Sequence, residues 1–173
     1  MFEPPLPSAV QAAEDALAFG VAAKLAVPVE RALEPRARQS VAGPFWWWVG
    51  AAEDGAPRAV VTSYAGSPGA LADLQTGSGD PAGWLGRLTA LDSDLVPVAT
   101  AILVDWSTEP FARGAYTAIP PGAASLMPAL AEPAGRIVLA GEHTAGVERH
   151  GTLEGALRSG ARAAAQALAI VLP

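Results

Sequence analysis

The sequence predicts an α/β fold of the α+β type, a mixed sheet with helices packed around it. Three observations carry that expectation. The chain has 173 residues and 51% of them are apolar, enough for one domain with a real core. Runs rich in aromatic and β-branched residues intermix with runs of Ala and Leu at helical spacing. The two kinds follow no regular βαβ alternation, and no internal repeat is visible.

In chain order, Ser8 to Gly20 has a Ser cap, good helix formers and a terminal Gly, and predicts a helix. "VAAKLAVPV" follows as a strand, with Lys24, the only lysine, near its start. Residues 31–43 read as loop. "FWWWVGAA" and "RAVVTSYAG" flank the turn signal "EDGAP" and predict a hairpin. Trp46, Trp47 and Trp48 alternate along their strand, so each side of the sheet receives at least one of them. "PGALADL" and "PAGWLGRLTAL" read as helices around the loop "QTGSGD". "VPVATAILVDW" is expected as a strand ending at Trp106, and "STEPFARGAYTAIPPGA" as an ordered loop. "ASLMPAL" is a short helix, "RIVLAG" a short buried strand, and Thr152 to about Ile170 a closing helix.

Composition removes several function classes. The formal charge is −6 with no basic run, which argues against nucleic-acid and anionic-membrane partners. With no cysteine there can be no disulfide, thiolate metal site or Cys nucleophile, and a reducing cytoplasm is the expected location. The opening "MFEPPLPSAV" lacks the basic and apolar regions of a signal peptide. The apolar stretches are too short to span a membrane. His143 and His150 have no acidic neighbours in register, so no metal site is expected. No G-x-S-x-G context supports hydrolase chemistry. "FEPPLP" is a rigid connecting segment directly after Met1, so the chain reads as beginning mid-fold.

The closing helix is the informative element. Thr152 is its expected N-cap, and Glu154 in the first turn suits the positive end of the helix dipole. Gly155, Ala156, Gly160, Ala161 and Ala164 leave it nearly bare, although each glycine costs about 1 kcal/mol relative to Ala. That cost points to close packing or to a flat ligand. The N–H groups at 152–155 form a site for partial negative charge. Glu142, after Gly141 at the end of "RIVLAG", can accept hydrogen bonds from sugar-like hydroxyls. A capped, tightly packed helix with a solvated Glu142 explains the same residues without a ligand.

The strand, "AGEHT", loop and "HGTLEGALRSGARAA" resemble the C-terminal signature of the flavin-dependent amine oxidases. That family includes monoamine, L-amino-acid and polyamine oxidases and the flavin-dependent histone demethylases. "FEPPLP...AEDALAFGVAAKLAV", "AVVTSYAGSPGALADL" and "WSTEPFARGAYTAIPPG" resemble further family segments, in the family's order and over nearly the whole chain. The resemblance implies a division into 1–117, a substrate-domain-like sheet with helices, and 118–173, a flavin-contacting strand, loop and helix. It implies that Gly141, Glu142, Thr152, Leu153 and Ala156 are cofactor-binding, with the helix start facing the pyrimidine edge of the flavin and Glu142 holding the ribityl chain. Tyr116 matches the aromatic residue beside the substrate amine and is the implied catalytic residue; Thr152 shares the substrate side. A core tyrosine is the alternative reading of Tyr116. Ala115 stands where monoamine oxidases carry their flavin-bonding cysteine, so the implied FAD is noncovalent. Trp106 is expected to be structural, beneath the Gly-X-Tyr loop.

The family's N-terminal dinucleotide fingerprint, G-x-G-x-x-G, is absent, as is its lysine near flavin N5; Lys24 matches a different position. Two functions are therefore expected as alternatives. One is the C-terminal portion or subunit of an FAD-dependent amine oxidase, inactive alone and completed by a partner chain or a missing N-terminal half. The other is a noncatalytic remnant or protein-interaction module. The first implies a small amine substrate and apolar surface exposed on this chain.

Overall fold

The computed structural model describes residues 2–41 and 43–172. In chain order the helices and strands are α1 (Ser8–Ala16), β1 (Ala18–Phe19), β2 (Ala22–Leu33), β3 (Arg36–Gln39), β4 (Trp46–Val49) and β5 (Arg58–Gly66). They continue with α2 (Pro68–Asp73), α3 (Ala82–Leu91), β6 (Ile102–Asp105), β7 (Thr117–Ala118) and α4 (Leu153–Val171). Short 3-10 segments cover Thr76–Ser78, Ala124–Ala131 and Glu142–Thr144. Sheet and helices share the chain, as the α+β expectation requires. Contacts divide it into two compact units, residues 21–115 and residues 1–20 with 116–173. This grouping differs from the expected functional division at 117 and 118 because the first twenty residues pack with the last segment.

The 21–115 unit is built on a five-stranded sheet of order β3-β4-β5-β2-β6, every pairing antiparallel rather than mixed as expected. The period of two along β2 buries Ala23, Leu25, Val27 and Val29 on one face. Against that face lie Trp47 from β4, Val61 from β5, Leu71 from α2, and Trp84 and Leu88 from α3. Pro28 cannot donate to a ladder, and the β2–β5 register shifts immediately after it. The hairpin forms as expected, with Gly55 at positive φ in its turn. The three tryptophans split as expected: Trp47 is buried, while Trp46 and Trp48 stack with centroids 4.6 Å apart.

Residues 31–43 depart from the loop expectation. β2 runs on to Leu33, and Arg36–Gln39 forms edge strand β3 paired with the three tryptophans. "RARQ" has no apolar alternation to announce a strand. Its stabilisation is tertiary: Arg36 and Arg38 reach the buried Asp92 carboxylate at 3.3 and 3.1 Å, and their guanidinium groups lie over the Trp47 ring. The strand expected over "VPVATAILVDW" shrinks to Ile102–Asp105 with one isolated bridge, Val29 to Pro97. The bridge is closed on both sides, by the Glu30 N–H to the Val96 carbonyl at 2.9 Å and the Val98 N–H to the Pro28 carbonyl at 3.1 Å, and the pairing breaks at the bend at Ala99. Trp106 is 46% exposed and is not a buried packing residue.

In the second unit α1 ends at Ala16, short of the expected Gly20, and its N-cap is Pro7 rather than Ser8. Leu17 turns extended, and Ala18–Phe19 pairs with Thr117–Ala118 instead. Leu6, Val10 and Ala13 pack on Met127 and Leu130 of the 3-10 segment Ala124–Ala131. "RIVLAG" is not a strand: among the described residues its one β-bridge is Ala134 to Ile137, and Ile137 and Leu139 are half-buried against the Met127 and Leu130 cluster. Among the described residues no neighbouring strand pairs with it, and apolar β-branched character alone cannot make a sheet.

Candidate functional site

Helix α4 starts as expected. Thr152 is its N-cap, with Oγ1 accepting from the Gly155 N–H at 2.9 Å and donating to the Arg149 carbonyl. The Gly155 and Ala156 amides are therefore engaged within the chain, Ala156 donating to the Thr152 carbonyl at 3.1 Å. This corrects the expectation of open N–H groups through residue 155. The first-turn amides of Leu153 and Glu154 have no acceptor four residues back, as at any helix start. Gly151, Thr152 and Leu153 are exposed, Leu153 by 78%.

The two glycines of α4 sit in different surroundings. A Cβ on Gly155 would collide with the Arg149 carbonyl oxygen and touch Ala145 Cβ at 3.0 Å, so this glycine lets the preceding loop close on the helix. Gly160 faces open space within 4 Å. Arg162, two residues further on, donates to the carbonyls of Ala131 and Leu139, to Thr144 Oγ1 and to Gln166 Oε1. Ser159 Oγ accepts from the Gly141 N–H at 3.0 Å. These bonds clamp the Gly141–Thr144 turn onto α4 and so place Glu142. Gly141 itself has φ +134°, which favours glycine.

Glu142 is the hub of the arrangement. Its Oε1 accepts from the Thr117 N–H at 2.8 Å and from Thr117 Oγ1 at 2.6 Å, and its Oε2 accepts from the Gly151 N–H. Burial by itself pushes the carboxyl pKa up. The bonds from the Thr117 hydroxyl, the Gly151 amide and the Thr117 amide, with the nearby His143, outweigh it and hold the group below its ordinary 4.5. Three distant segments are thus tied through one carboxylate. Since the folded-state pKa is depressed, this contribution to stability is present above about pH 4.5 and is lost as pH falls through the folded value. Glu142→Gln is expected to lower the thermal midpoint at neutral pH, with the gap to wild type closing in acid. A gap independent of pH would contradict the role.

Tyr116 stands beside this hub. A Cβ on Gly151 would lie 3.7 Å from its Cδ2, and a Cβ on Gly20 would meet its carbonyl at 2.9 Å and its ring at 3.5 Å. Tyr116 is 39% exposed. The structure therefore brings together Tyr116, Gly141, Glu142, Thr152 and the start of α4, all in one unit. Sequence reasoning missed Thr117, Gly151 and Gly20. Thr117 follows Tyr116 directly, but nothing local announces that its N–H and hydroxyl both serve Glu142. A separate cavity of about 630 Å³ lies in the 21–115 unit beside Leu71, Thr76 and Asp105 and contains none of these residues. Among the described residues no group of His, Cys, Asp and Glu is placed to hold a metal, and no helix is long and apolar enough to cross a membrane.

The site combines an exposed helix start with its positive dipole end, the partly exposed Tyr116, and the Glu142 carboxylate bonded to the Gly151 amide just before the helix.

The sequence model of the family described as flavin containing amine oxidoreductase matches residues 1–168. Cyclohexylamine oxidase from Brevibacterium oxydans IH-35A superimposes with a TM-score of 0.72 at 21% identity, over 96% of this chain and 39% of that one. A triple mutant of putrescine oxidase, from a redesign of its cofactor binding, gives 0.76 at 20% identity over 98% and 39%. A single mutant from the same redesign gives 0.69 at 17% identity, again over 98% and 39%. At these identities the likeness is one of fold, and the chain spans 39% of the length of the solved structures it matches. A flavin is the cofactor such a match implies. By the extent of the family match, the chain belongs to the flavin containing amine oxidoreductases.

Proposed function

We propose that this chain is the C-terminal substrate and flavin-contact portion of an FAD-dependent amine oxidase, a cytoplasmic enzyme acting on a small amine or amino acid. The observation that carries the reading is the convergence of the α4 start, Glu142 and Tyr116 in one unit. FAD would be held noncovalently, since the chain has no cysteine. The flavin supplies the two-electron oxidation of an amine to an imine, with hydrogen peroxide formed from O₂. The first-turn amides at Leu153 would hydrogen-bond the pyrimidine edge, where the positive helix end favours negative charge. Gly141 lets the backbone turn toward the cofactor, and Glu142 accepts from ribityl hydroxyls with the lone pairs that Thr117 and Gly151 leave. Thr152 fixes the helix start, and Ala156 keeps the first turn thin. The Tyr116 ring gives the neutral amine an apolar, π-lined approach beside Thr152.

The ADP half of the cofactor needs a dinucleotide cradle, and the sequence has no G-x-G-x-x-G. The reading therefore includes completion by further polypeptide, in another chain or in the rest of a longer one. The exposed Phe19, Ile102, Leu153 and Leu157 supply apolar surface for it. The test is purification of this chain alone and together with a complementing oxidase N-terminal half. The single chain is expected to be colourless and inactive, and the pair to show the visible flavin band, released on acid denaturation. A pair that stays colourless would make the chain a noncatalytic module; flavin on the single chain would remove the need for a complement.

A further inference from the structure

Behind α4, a cavity of about 430 Å³ opens between the helix, the 3-10 segment Ala124–Ala131 and the loop at 144–149. Arg149, Arg158 and Arg162 line it, with no acidic residue among its walls. Its floor is apolar, formed by the buried Met127 with Pro128, Ala131 and Ala145. In a chain of net charge −6, three of the eleven basic residues converge on one concavity.

The charges do not balance locally. Arg162 is bonded by two carbonyls, an amide oxygen and a hydroxyl, so among the described residues no carboxylate neutralises it. Arg158 turns its Nε to Glu154 at 2.7 Å, and among the described residues its Nη groups meet no acceptor. Arg149 reaches the same Glu154 oxygen at only 3.7 Å and the exposed Glu148 at 3.8 Å. Three guanidinium groups thus stand against two carboxylates. The excess is one positive charge at the mouth of an apolar pocket.

From this we infer that the cavity is a binding site for a monoanion with an apolar body, a carboxylate carrying a hydrocarbon chain. The carboxylate accepts from the Nη donors of Arg158 and Arg149, and the chain lies on Met127, Pro128 and Ala131. A second anionic charge finds no further partner, and a cation meets like charge. The cavity shares no lining residue with the arrangement of Tyr116, Gly141, Glu142 and Thr152. It bears on the helix start, since the Arg149 carbonyl receives the Thr152 hydroxyl and abuts Gly155.

The test is calorimetric titration of the full chain with octanoate, octan-1-ol, octylammonium and inorganic phosphate. Octanoate is expected to bind saturably at one site and more tightly than the other three. Arg158→Gln, whose side chain is 64% exposed, leaves the fold intact by far-ultraviolet circular dichroism and weakens octanoate about tenfold or more. Adding Arg149→Gln weakens it further. Octanol or phosphate binding as tightly as octanoate, absence of saturation, or unchanged affinity in both variants would overturn the inference.

Discussion

Gly155→Ala is expected to destabilise the unit that carries α4 by about 3 kcal/mol, against the usual rule that alanine improves a helix. The added Cβ would run into the Arg149 carbonyl, and neither partner can move without opening the turn that Thr152 caps. Backbone cannot rotate out of the way as a long side chain can. Gly160→Ala on the same helix is the internal control. Its Cβ would enter open space, so the substitution is expected to stabilise by roughly 1 kcal/mol. Chemical denaturation of the two variants beside wild type decides the matter. Equal, mild effects would mean that the 145–151 loop does not close on the helix, and the placement of Glu142 and Tyr116 would lose its support.

Trp84→Ala is expected to cost about 3–5 kcal/mol and to unfold the 21–115 sheet unit, the value typical of removing a large buried aromatic. Trp84 is 1% exposed, lies 6.2 Å from Phe45 between ring centroids, and packs on the apolar face of β2. Its Nε1–H donates to Ser63 Oγ at 3.1 Å, and that hydroxyl in turn donates to the Trp46 carbonyl. Truncation therefore leaves a large void and removes one bond of a buried polar pair. Trp84→Phe keeps much of the ring but not the N–H, and is expected to fall between wild type and alanine. A Trp84→Ala protein that unfolds at the wild-type denaturant midpoint would show that the core is not organised around this ring.

Gly155 and Trp84 also separate local from long-range information. The capping of α4 was legible because everything it needs lies within four residues: a Thr at the boundary, a Glu in the first turn, small residues after. The Trp46–Trp48 alternation and the "EDGAP" turn were legible for the same reason. The strand at Arg36–Gln39 was not, because its polar sequence is held by Asp92, far along the chain. "RIVLAG" misled in the opposite direction, having the composition of a strand without a paired neighbour among the described residues.

At the candidate site the same division holds. The sequence by itself determined which residue types stand at 116, 141, 142 and 152, and, through resemblance, the family whose segments they match. Only the tertiary structure decided that Glu142 is already bonded to Thr117 and Gly151, that Gly155 serves the chain's own loop, and that Arg162 clamps the turn. The physical reason is range. Caps, turns and periodicity are short-range and can be read along the chain, whereas a carboxylate's partners and a glycine's neighbours come from segments that meet only when the chain has folded.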